Sequence, residues 1–208
     1  MNQSVKLHTV TPDTEKTLAY IARVSSEYQE NPDYARLLAY CVKHGHWSVF
    51  EHAHMTIEIE TSRMISAQIL RHRSFKFQEF SQRYSEPQSY VKSKARRQAE
   101  KNRQSSIDDL DPEIVDWWEQ EQDKVWLDAM WLYDHAIDHG VAKECARAIL
   151  PMSTSTRLYM TGDIRSWMHY IGLRTNPDTQ EEHRWIAEQA KMIFIDQFPV
   201  VSEALGWI

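Results

Sequence analysis

Glycine is scarce in this chain, and its placement limits how the fold can grip a phosphate. The 208 residues hold five glycines: Gly45, Gly140, Gly162, Gly172 and Gly206. No two of them lie two, three or five residues apart, which excludes both the G-x-G-x-x-G dinucleotide turn and the G-x-x-x-x-G-K-S/T phosphate loop. A nucleotide must then be held by side chains and helix ends rather than by a glycine-lined backbone cradle. Hydrophobic residues make up 42 %, enough for a sizeable core. At this length the chain reads as one domain, 1–208, with a helical insertion at about 92–140.

Charge and cysteine usage narrow the class further. Lys and Arg total 24 against 30 Asp and Glu, a net charge of −6, which argues against a dedicated nucleic-acid or membrane surface. Cys41 and Cys145 form no Cys-x-x-Cys pair, and each sits in an apolar helical run, LAYCVKHG and KECARAIL. That is the setting of a buried structural thiol rather than a nucleophile. The opening MNQSVKLHTV lacks a signal-peptide core. No run approaches the roughly 18 apolar residues of a membrane span. A soluble, cytoplasmic protein is expected.

Local signals predict a mixture of helices with a few strands. Thr11-Pro12-Asp13 opens a helix to about Arg23 with Pro12 in its first turn, and Asn31-Pro32-Asp33 opens a second that stops at Gly45. Residues 53–60 alternate, with Met55, Ile57 and Ile59 on one side and His54, Thr56, Glu58 and Glu60 on the other, the pattern of a half-buried strand. Ser62 caps a helix that carries Met64, Ile65 and Ile69 and ends in Arg71-His72-Arg73. Asp111-Pro112 opens a long helix to Gly140 whose Val115, Trp118, Val125, Leu132 and Ile137 are spaced for a buried stripe. A short helix follows and ends at Pro151, 153–159 alternates as a strand, and Asp163 caps a helix towards Arg174. Asp178-Thr179-Gln180-Glu181 resembles a capping box for a last helix to Phe198. Residues 92–103 hold six cations and one anion, and 108–123 hold eight acids and no cation. These blocks either pair or are solvated, and solvation is the favoured reading because exposed ion pairs contribute little.

The chemistry concentrates in QILRHRSFKFQEFSQRY, residues 68–84. Gln68, Arg71 and His72 fall at helical i, i+3 and i+4, so they are expected to share one helix face near its C-terminal end. Cations at a helix C-terminus are favoured by the dipole alone. Arginines between an apolar helix and Phe75, Phe77 and Phe80 also suit a planar anion such as phosphate or carboxylate. Both readings stay open, the anion site favoured. If the following stretch is extended, Glu79, Ser81 and Arg83 line one side. They offer an acceptor, a hydroxyl and a bidentate cation, suited to a phosphorylated sugar; an ordinary polar strand face has the same period.

Arg71-His72-Arg73, seven residues and then Ser81 resembles the R-H-R-x7-S signature of the flavin-dependent thymidylate synthases. Lys43-His44-Gly45-His46, Phe50-Glu51, Gln68, Ala146-Arg147, Leu150-Pro151, Arg157, Arg165-Ser166 and Leu173-Arg174 fall where that family has similar residues. The resemblance implies an α+β fold, mixed helices with a small antiparallel-type sheet, assembled as a homotetramer with active sites shared between subunits. It implies methylation of dUMP to dTMP, with methylenetetrahydrofolate as carbon donor and NADPH, by way of FAD, as reductant. Ser48, Arg71, His72, Arg73 and Glu79 are implied flavin contacts. Asp163, Ile164, Arg165 and His169 are implied contacts to the flavin from a neighbouring subunit, and His46 a contact near flavin and folate. Gln68, Arg71, Glu79, Phe80, Ser81, Gln82, Arg83, Arg147 and Arg174 are the implied dUMP pocket. Arg174 is the candidate catalytic group, stabilising the N3-deprotonated uracil as fixed positive charge. Asp163, His169 and Asp178 depart from the family's usual residues, and the Asp163 carboxylate either pairs with Arg165 or serves as a helix cap.

Three readings compete with details of this one. Ser81 as nucleophile needs a base within reach, so a binding hydroxyl is preferred. His44, His46, His52 and His54 lack a strict metal-ligand pattern, and no metal is expected; a His-liganded metal hydrolase is the weaker alternative. Cations mixed with Phe75, Phe77, Phe80, Tyr84 and Tyr90 also suit a single-strand binder, against which the net charge stands. The Trp-rich stretch with Trp117, Trp118, Trp126 and Trp131 reads as core or subunit contact.

Overall fold

The computed structural model describes residues 3–208. Its elements run β1 (Ser4–Val10), α1 (Thr14–Ala22), α2 (Tyr34–Lys43), a 3-10 turn (Trp47–Glu51), β2 (His54–Ser62), α3 (Arg63–Ile69), β3 (Lys76–Glu79), β4 (Arg97–Gln98), β5 (Ser106–Ile107), α4 (Pro112–Asp138), α5 (Lys143–Ala146), a second 3-10 turn (Arg147–Ile149), β6 (Ser155–Asp163), α6 (Ile164–Arg174), α7 (Glu181–Gln197) and α8 (Pro199–Ala204). Four strands form one sheet in the order β1-β2-β6-β3. Side-chain pairs set its direction. Thr56 meets Thr161 at 2.8 Å, Tyr159 donates to Glu58 at 2.6 Å, and Arg157 donates to Glu60 at 3.0 Å. One partner number rises as the other falls, so β2 and β6 are antiparallel. The α+β expectation with a small antiparallel sheet holds.

Two compact units make up the chain. Unit 1 holds Glu60–Arg71 and Gln78–Leu158 together with the stretch that ends at Ser4. Unit 2 holds Val5–Ile59, His72–Phe77 and Tyr159–Ile208. The core of unit 2 is drawn from Leu18, Leu38, Phe50, Met55, Ile57, Ile59, Trp167, Tyr170, Ile186, Phe194 and Phe198, all without exposed surface. Burying each such side chain contributes about 1.5–3 kcal/mol against leaving it in water. Unit 1 packs more thinly around Ile65, Ile69, Val91, Tyr133 and Leu158.

Helix starts follow their caps. Ser62 accepts from the Ile65 amide at 3.3 Å, Asp111 from Glu113 at 2.9 Å and Asp163 from Ser166 at 2.7 Å. Other expectations need correction. α1 begins at Thr14, because Asp13 takes a left-handed conformation at φ 46° and cannot be helical. α3 stops at Ile69, so Arg71-His72-Arg73 lies in the turn beyond it and shares no helix face with Gln68. α7 is capped at Gln180 with no side-chain cap bond, so there is no capping box at Asp178, and α8 follows it. Thr56, expected on the polar face of β2, is buried against Thr161. β1 was not anticipated. Cys41 is buried, with its thiol pushed up by burial, but Cys145 is exposed.

In unit 1 the two charge blocks pair, contrary to the favoured solvated reading. β4 and β5 run antiparallel with Arg97 opposite Ile107. That register sets Arg97 on Asp109 at 2.6 Å and Lys94 on Asp108, while Lys92 reaches Asp123 of α4 at 2.8 Å. α4 lies on residues 90–93 through Trp126 stacked on Tyr90 at 5.3 Å, Tyr90 bonded to Asp123, and Trp118 donating to the Ser93 carbonyl at 2.9 Å. Of its 27 residues only Tyr133 is buried. The expected buried stripe is not buried: Trp118, Val125 and Leu132 are exposed, as are Ile114, Trp117, Leu127 and Trp131.

Candidate active site

Unit 1 assembles most of the expected dUMP residues. Glu79 ends β3, and its Oε1 accepts from the Ser66 hydroxyl at 2.6 Å and the Thr156 hydroxyl at 3.0 Å and faces Arg63 at 3.1 Å. All three partners converge on one carboxylate oxygen, which fixes the group and leaves Oε2 for a donor. Ser81 to Tyr84 form a turn rather than an extended strand. The Tyr84 amide donates to the Ser81 carbonyl at 3.1 Å and the Arg83 amide to the Ser81 hydroxyl at 3.4 Å. Glu79, Ser81 and Arg83 therefore do not share a strand face. Phe80 donates its amide to Arg157 at 2.8 Å. Gln82 is buried, and its Nε2 has no hydrogen-bond partner among the described residues. A buried amide N–H without an acceptor costs free energy, so this atom is suited to a bound acceptor.

Two arginines of the set meet at a residue that sequence reasoning missed. Arg83 pairs with the Glu144 carboxylate at 3.0 Å, and Arg147 donates to the Glu144 carbonyl at 3.3 Å. Glu144 in α5 gathers two phosphate-type cations. Gln68 is half-buried on α3, and exposed Arg71 follows it in the turn, its amide on the Gln68 carbonyl at 3.3 Å.

Unit 2 holds the remaining expected residues, and α6 places most of them. Ile164 is buried, its amide bonded to Ala53 at 3.0 Å. Asp163 serves as the helix cap, which settles its two alternatives, while Arg165 pairs with Glu51. Arg165 and His169, four residues apart on α6, line a cleft of about 780 Å³ with Trp47, Glu51, Ser74, Asp163, Ser166, Met168 and Leu205. Ser48 and Arg73, both exposed, flank Trp47 and Ser74 in sequence. His46 is exposed after Gly45, its ring 5.6 Å from Tyr40.

The far end of α6 carries Arg174. Its Nε donates to His72 Nε2 at 2.9 Å. The His72 ring stands edge-on to Tyr170 at 4.9 Å, and the Tyr170 hydroxyl lies 3.2 Å from His183 Nε2. Tyr170 and His183 have no exposed surface. Burial raises the Tyr170 phenol, and burial followed by the charge of Arg174 lowers His183 to about 3. Tyr170 and His183 had no local signal, because only the packing of α6 against α7 brings them to the arginine. Among the described residues no group of three or more His, Cys, Asp or Glu side chains is placed to hold a metal, and no helix is long and apolar enough to cross a membrane.

The family model described as thymidylate synthase complementing protein matches residues 6–200. The chain is 54 % identical over 193 residues to the flavin-dependent thymidylate synthase of Synechocystis sp., covering 93 % of this chain and 90 % of that one. This chain belongs to the flavin-dependent thymidylate synthase family. A probable flavin-dependent thymidylate synthase of Paramecium bursaria Chlorella virus 1 is 51 % identical over 197 residues, covering 93 % and 91 %. Among solved structures, the UMP/dUMP methylase PolB from Streptomyces cacaoi, bound with 5-Br dUMP, superposes with a TM-score of 0.87 at 26 % identity over 100 % of this chain and 96 % of that one. As a flavin-dependent thymidylate synthase the protein is an enzyme that uses a flavin. Its unit 2 cleft fits such a group: the volume lies within the roughly 300–1,000 Å³ of ligand sites, and Trp47, Arg165 and His169 supply aromatic and cationic lining.

Proposed function

We propose that this enzyme methylates dUMP to dTMP, taking the carbon from methylenetetrahydrofolate and the hydride from NADPH by way of FAD. The observation that carries the reading is Arg174. It is half-buried, anchored through Nε by the histidine of the R-H-R motif, and has no carboxylate partner among the described residues. A guanidinium held in this way awaits a planar anionic edge. On this reading its Nη groups bind the uracil edge and favour the N3-deprotonated ring, which raises electron density at C5, the atom that takes the methylene. Arg71, Ser81, Arg83 and Arg147 hold the phosphate, Glu79 offers Oε2 to a nucleotide donor, and Gln82 offers its amide to an acceptor. Gln68 and Phe80 complete the pocket.

FAD, when bound, supplies the hydride chemistry. Ser48, Arg71, His72, Arg73 and Glu79 would hold it, with Asp163, Ile164, Arg165 and His169 reaching it from a neighbouring subunit and His46 near flavin and folate. The reading includes a single family domain over 1–208 with its insertion at about 92–140, a homotetramer and a cytoplasmic location. The exposed apolar residues of α4 support the assembly. Purified protein should be yellow and should oxidise NADPH and release the C5 hydrogen of dUMP only when dUMP is present. Arg174→Ala should abolish release while flavin stays bound; full turnover in that variant would overturn the role of Arg174.

A further inference from the structure

The contact between Arg174 and His72 carries information about protonation. A guanidinium Nε is a donor only. The His72 Nε2 that receives it at 2.9 Å must be the bare nitrogen of a neutral ring, with the proton on Nδ1. Protonation of His72 would set two donors and two positive charges against each other. Aromatic rings pack around His72. Tyr170 presents its ring to His72 at 4.9 Å, and Phe75 does so at 6.5 Å, both edge-on. His183 lies 6.2 Å from His72, bonded to the buried Tyr170 hydroxyl.

The choice of anchor has a chemical consequence. A carboxylate in the place of His72 would also orient the arginine. Its negative charge, though, would offset the positive charge the substrate needs. A neutral imidazole fixes direction and leaves the charge whole. Neither Nη group of Arg174 has a hydrogen-bond or ion-pair partner among the described residues.

We propose that His72 is the positioning residue of Arg174: its bare Nε2 anchors the guanidinium through Nε, backed by the buried Tyr170–His183 pair, and so reserves both Nη groups and the full positive charge for the ionised edge of the pyrimidine. This rests on the reading that Arg174 acts on the uracil of dUMP. His72 acts on the uracil step through Arg174, so with flavin saturating, its removal should lower kcat only while Arg174 is present.

The test is a double-mutant cycle on the holoenzyme at saturating FAD, with kcat and dUMP KM read from release of the C5 hydrogen. His72→Phe keeps a ring and removes the acceptor. Its kcat should fall about 10–100-fold, with a smaller change in KM, as for a misaligned group. His72→Gln restores an acceptor and should return to within about threefold of the native enzyme. His72→Glu supplies a stronger acceptor with a negative charge and should be at least as impaired as His72→Phe. Adding His72→Phe to a slow Arg174→Lys enzyme should cost about twofold or less. Multiplicative losses in the double variant, native kcat in His72→Phe, or native kcat in His72→Glu would each overturn the proposal. The underlying reading fails separately, if the native enzyme releases no C5 hydrogen or if Arg174→Ala keeps full turnover.

Discussion

A Cβ placed on Gly162 would sit 2.5 Å from two ring carbons of Phe75. Phe75 occupies the space that any side chain at this point of β6 would need. Its ring packs edge-on against Trp167 at 4.8 Å and Tyr170 at 5.8 Å, so it belongs to the floor beneath His72. Gly162→Ala must push an aromatic ring into filled space, and overpacking of this kind costs about 1–3 kcal/mol. The entropy that alanine removes from the unfolded chain returns only about 0.4–1 kcal/mol. The variant should melt at lower temperature, and thermal unfolding followed by circular dichroism checks it.

Glu79 is held through one oxygen by three partners, and loosening it should show in nucleotide binding. Ser66→Ala removes the 2.6 Å bond and leaves Thr156 and Arg63 in place. A hydrogen bond to a charged group is worth about 1.5–3 kcal/mol. Part of that loss should appear as dUMP affinity about tenfold weaker, measured by calorimetric titration.

Glu15 should make stability fall as pH rises. Its carboxyl lies buried against α8, accepts from the Val201 amide at 2.8 Å, and is pushed above 4.5 chiefly by burial. The folded state therefore binds this proton more tightly than the unfolded one. Its contribution is complete below 4.5 and is lost as pH climbs through the raised value. Glu15→Gln keeps an acceptor and does not titrate. Its urea midpoint should vary less with pH above 4.5 than that of the native chain.

His183 should act with the opposite sign. Folding lowers it from 6.5 to about 3, so the neutral ring is the folded form. Its contribution is complete above 6.5 and is lost as pH falls from there towards 3. His183→Gln keeps an acceptor for Tyr170 and should flatten the acid limb of stability across that window, seen in urea midpoints measured at successive pH values.

The exposed apolar residues of α4 should report on assembly. Ile114, Val125 and Leu132 repeat on one side of the helix and are all exposed. Contiguous apolar surface beyond a few hundred Å² marks interaction sites. Val125→Glu with Leu132→Lys should lower the mass found by light scattering, with the helix content by circular dichroism unchanged.

Much of this was legible where a signal is local. Asp163, Asp111 and Ser62 announce their helices because a cap acts within three residues, and the alternation of Met55, Ile57 and Ile59 announces β2. The R-H-R-x7-S residues announce the family. What was missed depends on register or on distant packing. Composition shows that 92–103 and 108–123 are oppositely charged, but only the β4–β5 register sets Arg97 on Asp109. The pattern SVKLHTV is weak because β1 keeps most of its residues exposed or half-exposed. α4 carries a buried-helix pattern on an exposed surface, since periodicity marks a face that needs cover without naming what covers it. Ser66, Thr156, Glu144, Tyr170 and His183 support the candidate site, and apart from the local bond between Arg147 and Glu144 they meet their partners through tertiary packing.

The bond between Glu15 and the Val201 amide joins positions 186 residues apart, and α2 packs on the same C-terminal helix α8. Unit 2 thus draws its first helices and its last into one core. On the ribosome, the early helices emerge long before the segment that buries Glu15. That core can close only after Val201 has been made, and contacts so far apart in sequence make for slow closure. Until α8 is made, α2 lacks the helix it packs on, so the first helices of this core wait for the last.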